Sequence, residues 1–131
     1  MLGAMPLILI HGGGHIVQAV GDYEADRKTG VQTFVVRCGK KTGVTVAGIM
    51  FLMASFSPFV YSAFGLLPYR HLFFFFMMFP ISIPIIMRYA DVLQNPSTKN
   101  VINMQKTTRK YGIIGVTVIL AYALLAKIAS S

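Results

Sequence analysis

The chain has 131 residues, of which 55% are hydrophobic and only 12% charged, about half the charged fraction of an ordinary soluble domain. With a mean hydropathy of +0.65, this excludes a soluble or disordered chain and predicts one all-α membrane domain over residues 1–131. The net charge of +8 is spread over separate segments, and nucleic-acid binding, which needs one continuous basic face on a soluble module, is excluded with it.

Four apolar stretches have the length of bilayer-crossing helices, at residues 2–21, 43–67, 72–90 and 111–129. The first lacks a basic segment before its apolar run and is followed by an acidic motif instead of a cleavage site, so it does not read as a secretory signal. Its abrupt apolar beginning predicts a piece of a longer protein. Arg27, Lys28, Arg37, Lys40 and Lys41 fall between spans one and two, and Arg88, Lys99, Lys106, Arg109 and Lys110 between spans three and four. Only Arg70 and Lys127 lie at the other side. The positive-inside rule therefore places segments 22–42 and 91–110 in the cytoplasm. Cys38, the one cysteine, permits no intramolecular disulfide.

Span one carries a polar stripe. His11, His15, Gln18, Asp22 and Asp26 succeed one another at spacings of 4, 3, 4 and 4, which on a helix puts them within about 80° of arc. Ionisable groups in a membrane span are costly and normally face a bundle interior or a water-filled cavity, so the stripe is expected to line one, with His15 and Gln18 on its wall. His11 and His15 have metal-ligand spacing, but two histidines with no Glu between them are a weak signal. Arg27 and Lys28 suit a helix C-terminus, Gly30 suits its cap, and Thr33 is placed to cap a short helix over Phe34–Arg37 that Gly39 would close. That helix would form a cytoplasmic lid beside the carboxylates, with Arg37, Lys40 and Lys41 reaching toward an anionic ligand.

In span two, Pro58 removes a backbone donor, and Ser55 and Ser57 are near enough to compensate. The turn around Pro68 joins spans two and three as an antiparallel hairpin. Span three opens with Phe73 to Phe76 and carries Pro80 and Pro84. Residues 91–110 read as a polar loop with a turn at Asn95-Pro96-Ser97 and an interfacial helix over Thr98–Arg109. Span four, from Tyr111, has Gly112 and Gly115 as contact points, and Lys127 snorkels to the far interface.

Two carboxylates one helical turn apart suit Mg²⁺, a hard cation that takes its remaining ligands from water and substrate phosphates. A diphosphate head on that metal, with a hydrocarbon tail in the apolar cavity behind, satisfies both halves of the pattern. For an allylic diphosphate, metal and basic residues would stabilise charge on the departing pyrophosphate.

Asp22-x-x-x-Asp26-x-x-x-Gly30, with Val31-Gln32-Thr33-Phe34-Val35-Val36-Arg37 and Gly39 after it, resembles the second aspartate-rich motif of the UbiA superfamily of intramembrane prenyltransferases. There the motif ends a membrane helix and leads into a cytoplasmic cap helix. The resemblance implies Mg²⁺ bound by Asp22 and Asp26 as catalytic residues, a prenyl diphosphate held with help from Arg27, Lys28, Arg37 and Lys41, structural roles for Gly30 and Thr33, and an acceptor of aromatic or other lipid-precursor type. It also implies a fold of about nine helices, of which these four spans and the cap helix would be the C-terminal half. The family's first motif, of the type Asn-Asp-x-x-x-Asp, has no match here, so the chain alone is expected to be inactive in transfer. CDP-alcohol phosphotransferases also use Asp-x-x-x-Asp, but require Gly where Gln18 stands. A transporter or assembly subunit with an ion path along the His/Asp stripe is the non-enzyme alternative.

Overall fold

The computed structural model describes residues 5–66 and 68–128. Residues 2–4, 67 and 129, at the ends of three expected spans, lie outside them. All regular structure in the described residues is helical: α1 (Met5–Thr29), α2 (Phe34–Cys38), α3 (Lys40–Ala63), a single 3₁₀ turn (Tyr69–His71), α4 (Leu72–Gln94) and α5 (Thr98–Ile128). α3 and α4 form the hairpin expected around Pro68, and α1 packs chiefly along α3 while α5 packs along α4. Among the described residues one helix, Lys40–Ala63, is long and apolar enough to cross a membrane by length and composition.

The helices run well past the apolar stretches. α1 continues to Thr29 and carries the acidic motif on its last turns. In segment 91–110 the turn at residues 95–97 and the helix start at Thr98 are as expected, but α4 extends to Gln94 and α5 crosses the expected boundary at Tyr111 without a break. Local chemistry explains this. Ser97 Oγ accepts from Asn100 N–H at 3.3 Å as the cap of α5, and Asn100 Nδ2 donates to the carbonyl oxygen of Asn95 at 3.0 Å. Val101 and Met104 are then buried on one face, so the polar segment is an amphipathic helix that runs directly into the apolar one.

Breakers inside the helices are accommodated. Pro58 lacks the N–H that would bond the carbonyl of Ala54; the hydroxyl of Ser57 donates to that same oxygen at 2.6 Å. Gly12 and Gly13 do not interrupt α1. They let α3 come close: a Cβ on Gly12 would stand 2.6 Å from Met50 Cε, and one on Gly13 would stand 3.2 Å from the Phe51 ring.

Every helix contributes to one core, formed by Val17, Val20, Val35, Val44, Ala47, Tyr89, Val92, Val101 and Met104. These residues sit at the motif end of each helix. Toward the other end the large apolar side chains point outward, among them Ile8, Phe56, Phe64, Phe73, Phe76, Leu120 and Leu124. Gly43 is the tightest point of the core, where an added Cβ would lie 2.9 Å from Val20 Cγ2 and 3.0 Å from Val35 Cγ2. Gly43→Leu is expected to cost about 1–3 kcal/mol through overpacking, whereas Gly14→Ala, with nothing within 4 Å of the new methyl, should leave stability unchanged or higher. Thermal unfolding of the two variants in detergent checks both.

Candidate functional site

The acidic motif is shaped by how α1 ends. Gly30 takes φ +77, and the Val31 N–H reaches back to the carbonyl oxygen of Asp26 at 2.9 Å, the six-to-one bond of a Schellman cap. Thr29 Oγ1 donates to the carbonyl oxygen of Ala25 at 3.0 Å. The chain then turns and restarts at Thr33, whose Oγ1 accepts from Val36 N–H at 3.2 Å. α2 runs one residue beyond the expected Arg37, to Cys38, and Gly39, at φ 89, both closes α2 and begins α3.

At about 100° per residue, Val17 and Val20 define the packed face of α1 and Asp22 and Asp26 lie on the opposite side. His11, His15, Gln18 and Asp22 are exposed and Asp26 is half-buried. The stripe therefore faces out of this bundle instead of into it, because α1 turns its valine and glycine edge to α3. His11, Gly14, His15 and Gln18, with Ile10, line an open hollow of about 240 Å³ on that outer face. His11 Nε2 and His15 Nε2 are 3.0 Å apart and share a hydrogen bond.

The four carboxylates differ in their partners. Glu24 Oε1 accepts from Lys40 Nζ at 2.7 Å, with the lysine side chain 13% and the glutamate 57% exposed. Asp91 Oδ2 accepts from Arg88 Nη1 at 2.9 Å. Asp22 and Asp26, on one face one turn apart, have no side-chain partner among the described residues. An exposed and a half-buried carboxylate, neither neutralised by an ion pair among the described residues, would suit a hydrated Mg²⁺, which needs few protein ligands; no group of three or more His, Cys, Asp or Glu gathers among the described residues.

The basic residues are only partly gathered. Arg27, Lys28, Arg37 and Lys41 are exposed, and none pairs with Asp22 or Asp26. Lys41 lines a second open hollow, of about 320 Å³, with Tyr23, Cys38, Gly39, Lys40 and Pro96. Lys40 also lies 4.9 Å from the Tyr23 ring centroid, a cation–π distance. Lys40 and Glu24 are the pair that sequence reasoning missed, since no local pattern joins residues sixteen apart. Gln105 is a further one: its Nε2 donates to the Val17 carbonyl oxygen at 3.2 Å and occupies the notch left by the missing Cβ of Gly21. No family model, curated protein or solved structure matches the chain.

The hydrogen bond and charge of Lys40 hold the Glu24 carboxyl below its ordinary range, with smaller help from Arg27 and Lys28. A carboxylate lowered by folding stabilises the fold above its unfolded value, and that contribution disappears as pH falls through the lowered one. Lys40→Ala should raise the Glu24 titration toward the ordinary carboxylate range, as read from the side-chain carboxyl carbon by NMR. Glu24→Gln should flatten the acid limb of the stability profile between the two values.

Proposed function

We propose that the chain is the part of a UbiA-type prenyltransferase that carries the diphosphate-binding motif, working on a membrane with residues 2–21, 43–67, 72–90 and 111–129 as spans and the motif end on the cytoplasmic side. The observation that carries this is the contrast among the acids: Glu24 and Asp91 are each neutralised by a cation, whereas Asp22 and Asp26 stand together and unpaired. The Schellman cap at Gly30 and the Thr33-capped helix α2 give the motif the local geometry that the resemblance calls for.

In this reading Asp22 and Asp26 hold Mg²⁺, which supplies charge stabilisation for a departing pyrophosphate. Arg27 and Lys28 follow the second carboxylate on the same helix, and Arg37 and Lys41 belong to the cap; they add positive charge around the diphosphate. The exposed apolar surface away from the motif accommodates lipid and the isoprenyl chain, which passes to an aromatic or other lipid-precursor acceptor. The remaining helices of the bundle would cover the outer face of α1.

A second reading is favoured by one specific contact. The Nε2 to Nε2 hydrogen bond between His11 and His15, continued by Gln18 toward Asp22, is the beginning of a proton or ion path along α1, as in a transporter or assembly subunit.

Binding separates the two without requiring turnover. The detergent-solubilised chain should bind a prenyl diphosphate in calorimetry only when Mg²⁺ is present. Asp22→Ala and Asp26→Ala should each weaken binding by at least the roughly 10- to 100-fold that loss of a metal ligand's supporting partner costs, while His11→Ala leaves it unchanged. No Mg²⁺-dependent binding by the unmutated chain, with proton flux in vesicles that His11→Ala abolishes, would select the ion path instead.

A further inference from the structure

α5 carries a pattern that the diphosphate chemistry does not use. Taking about 100° per residue, Lys99, Lys106 and Lys110 fall within about 40° of arc and Arg109 within about 100° of Lys110. The buried Val101 and Met104 lie on the opposite side of the helix. All four cations are exposed, none forms an ion pair among the described residues, and the sequence of α5 contains no Asp or Glu. The Lys110 ammonium lies 5.6 Å from the Tyr111 ring centroid.

Beyond Tyr111 the same side of the helix becomes apolar. Ile113, Val116, Leu120 and Leu124 are each more than half exposed and fall within about 80° of arc, overlapping the cations above. At about 1.5 Å per residue, Lys106 to Lys110 spans about 6 Å, the depth of one headgroup layer, and Ile113 to Leu124 spans about 17 Å, more than half of a hydrocarbon core. A cationic layer followed on the same face by an unpacked apolar one is complementary to a single leaflet with negative headgroups. Tyr111 stands at the boundary, where aromatic rings collect.

We propose that α5 seats the protein in an anionic leaflet, with Lys106, Arg109 and Lys110 on phospholipid phosphates and Ile113, Val116, Leu120 and Leu124 among the acyl chains. Lys99, about 10 Å further along the axis than Lys106, stands in the aqueous layer and adds long-range attraction. The proposal concerns lipid selection and holds under either reading of the Asp pair.

The test reconstitutes the full chain in phosphatidylcholine bilayers and measures, by electron paramagnetic resonance, how strongly spin-labelled phosphatidylglycerol and phosphatidylcholine associate with it. One surface cation changes association about fivefold, so phosphatidylglycerol should be preferred at least fivefold at low salt. The preference should fall toward unity in 1 M NaCl, where the screening length is about 3 Å. Lys106→Gln/Arg109→Gln/Lys110→Gln should likewise bring it near unity with helical content unchanged. Equal association of the two lipids with the unmutated chain would overturn the proposal, as would a preference that survives the triple substitution, since the anionic contact would then lie elsewhere on the motif end. Should the triple variant fail to fold, the salt series on the unmutated chain decides, and a preference indifferent to salt overturns the proposal.

Discussion

The contact on which the rest of the molecule depends is the one made across Gly43. Three elements meet there, with Val20 from α1 and Val35 from α2 closing on a backbone that has no side chain to keep them away. A five-residue helix such as α2 has no stability of its own, because helix nucleation is unfavourable and five residues cannot offset it. It forms where a cap fixes its start and a buried side chain fixes its side. Thr33 does the first and fully buried Val35 the second. Once α2 is pinned, Gly39 fixes the direction in which α3 leaves, and Lys40, the first residue of α3, is delivered to Glu24.

That delivery divides α1 into two chemical faces. One face carries Val17 and Val20 into the core, and Glu24 meets its lysine beside them. The other carries Asp22 and Asp26, which form no ion pair among the described residues. The chain holds twelve Lys and Arg against four acids, so an unpaired carboxylate is not enforced by a shortage of cations. Geometry keeps them apart: Lys40 and Lys41 belong to a helix packed on the valine face, and the Lys40 ammonium is already engaged by Glu24 and by the Tyr23 ring. The negative charge that remains on the Asp face is available to a ligand of opposite sign.

The parts of this arrangement that were legible in the sequence are those decided by neighbours in the chain. Gly30, Thr33 and Gly39 act within a few residues of where they stand, because capping is local chemistry, and Ser57 finds the Ala54 carbonyl because both are set by the same helix as Pro58. What was not legible depends on the third dimension. Helical spacing reports which residues share a face but not whether that face is covered, and the His11 to Asp26 stripe, expected to line a cavity, lies on the face of α1 that the described helices leave open. The polarity of segment 91–110 marks the turn at 95–97 and the helix start at Thr98 but not that this helix and the apolar one after Tyr111 are continuous; nothing in Lys110-Tyr111 breaks a helix, and burial of Val101 and Met104 carries α5 through it. Glu24 with Lys40, and Gln105 with Val17, are pairs that only the packed bundle creates.

The open side of α1 has a physical consequence for a chain with this much outward apolar surface. In a bilayer, hydrocarbon would lie against Ile8 and Phe56 without penalty, yet His11, His15 and Gln18 share the exposed face of the same helix and are expensive to place in lipid. The hydrogen bond between His11 and His15 satisfies one nitrogen of each ring and leaves the others, and the Gln18 amide, needing partners. Water filling a cavity would provide them, and so would polar groups of further helices. If α1 spans a bilayer as proposed, either solution calls for protein on the far side of that face, because lipid does not satisfy polar groups in its hydrocarbon core. On the function proposed above, Asp22 and Asp26 lie at the end of the face that needs such partners, where α1 leaves the apolar stretch for water.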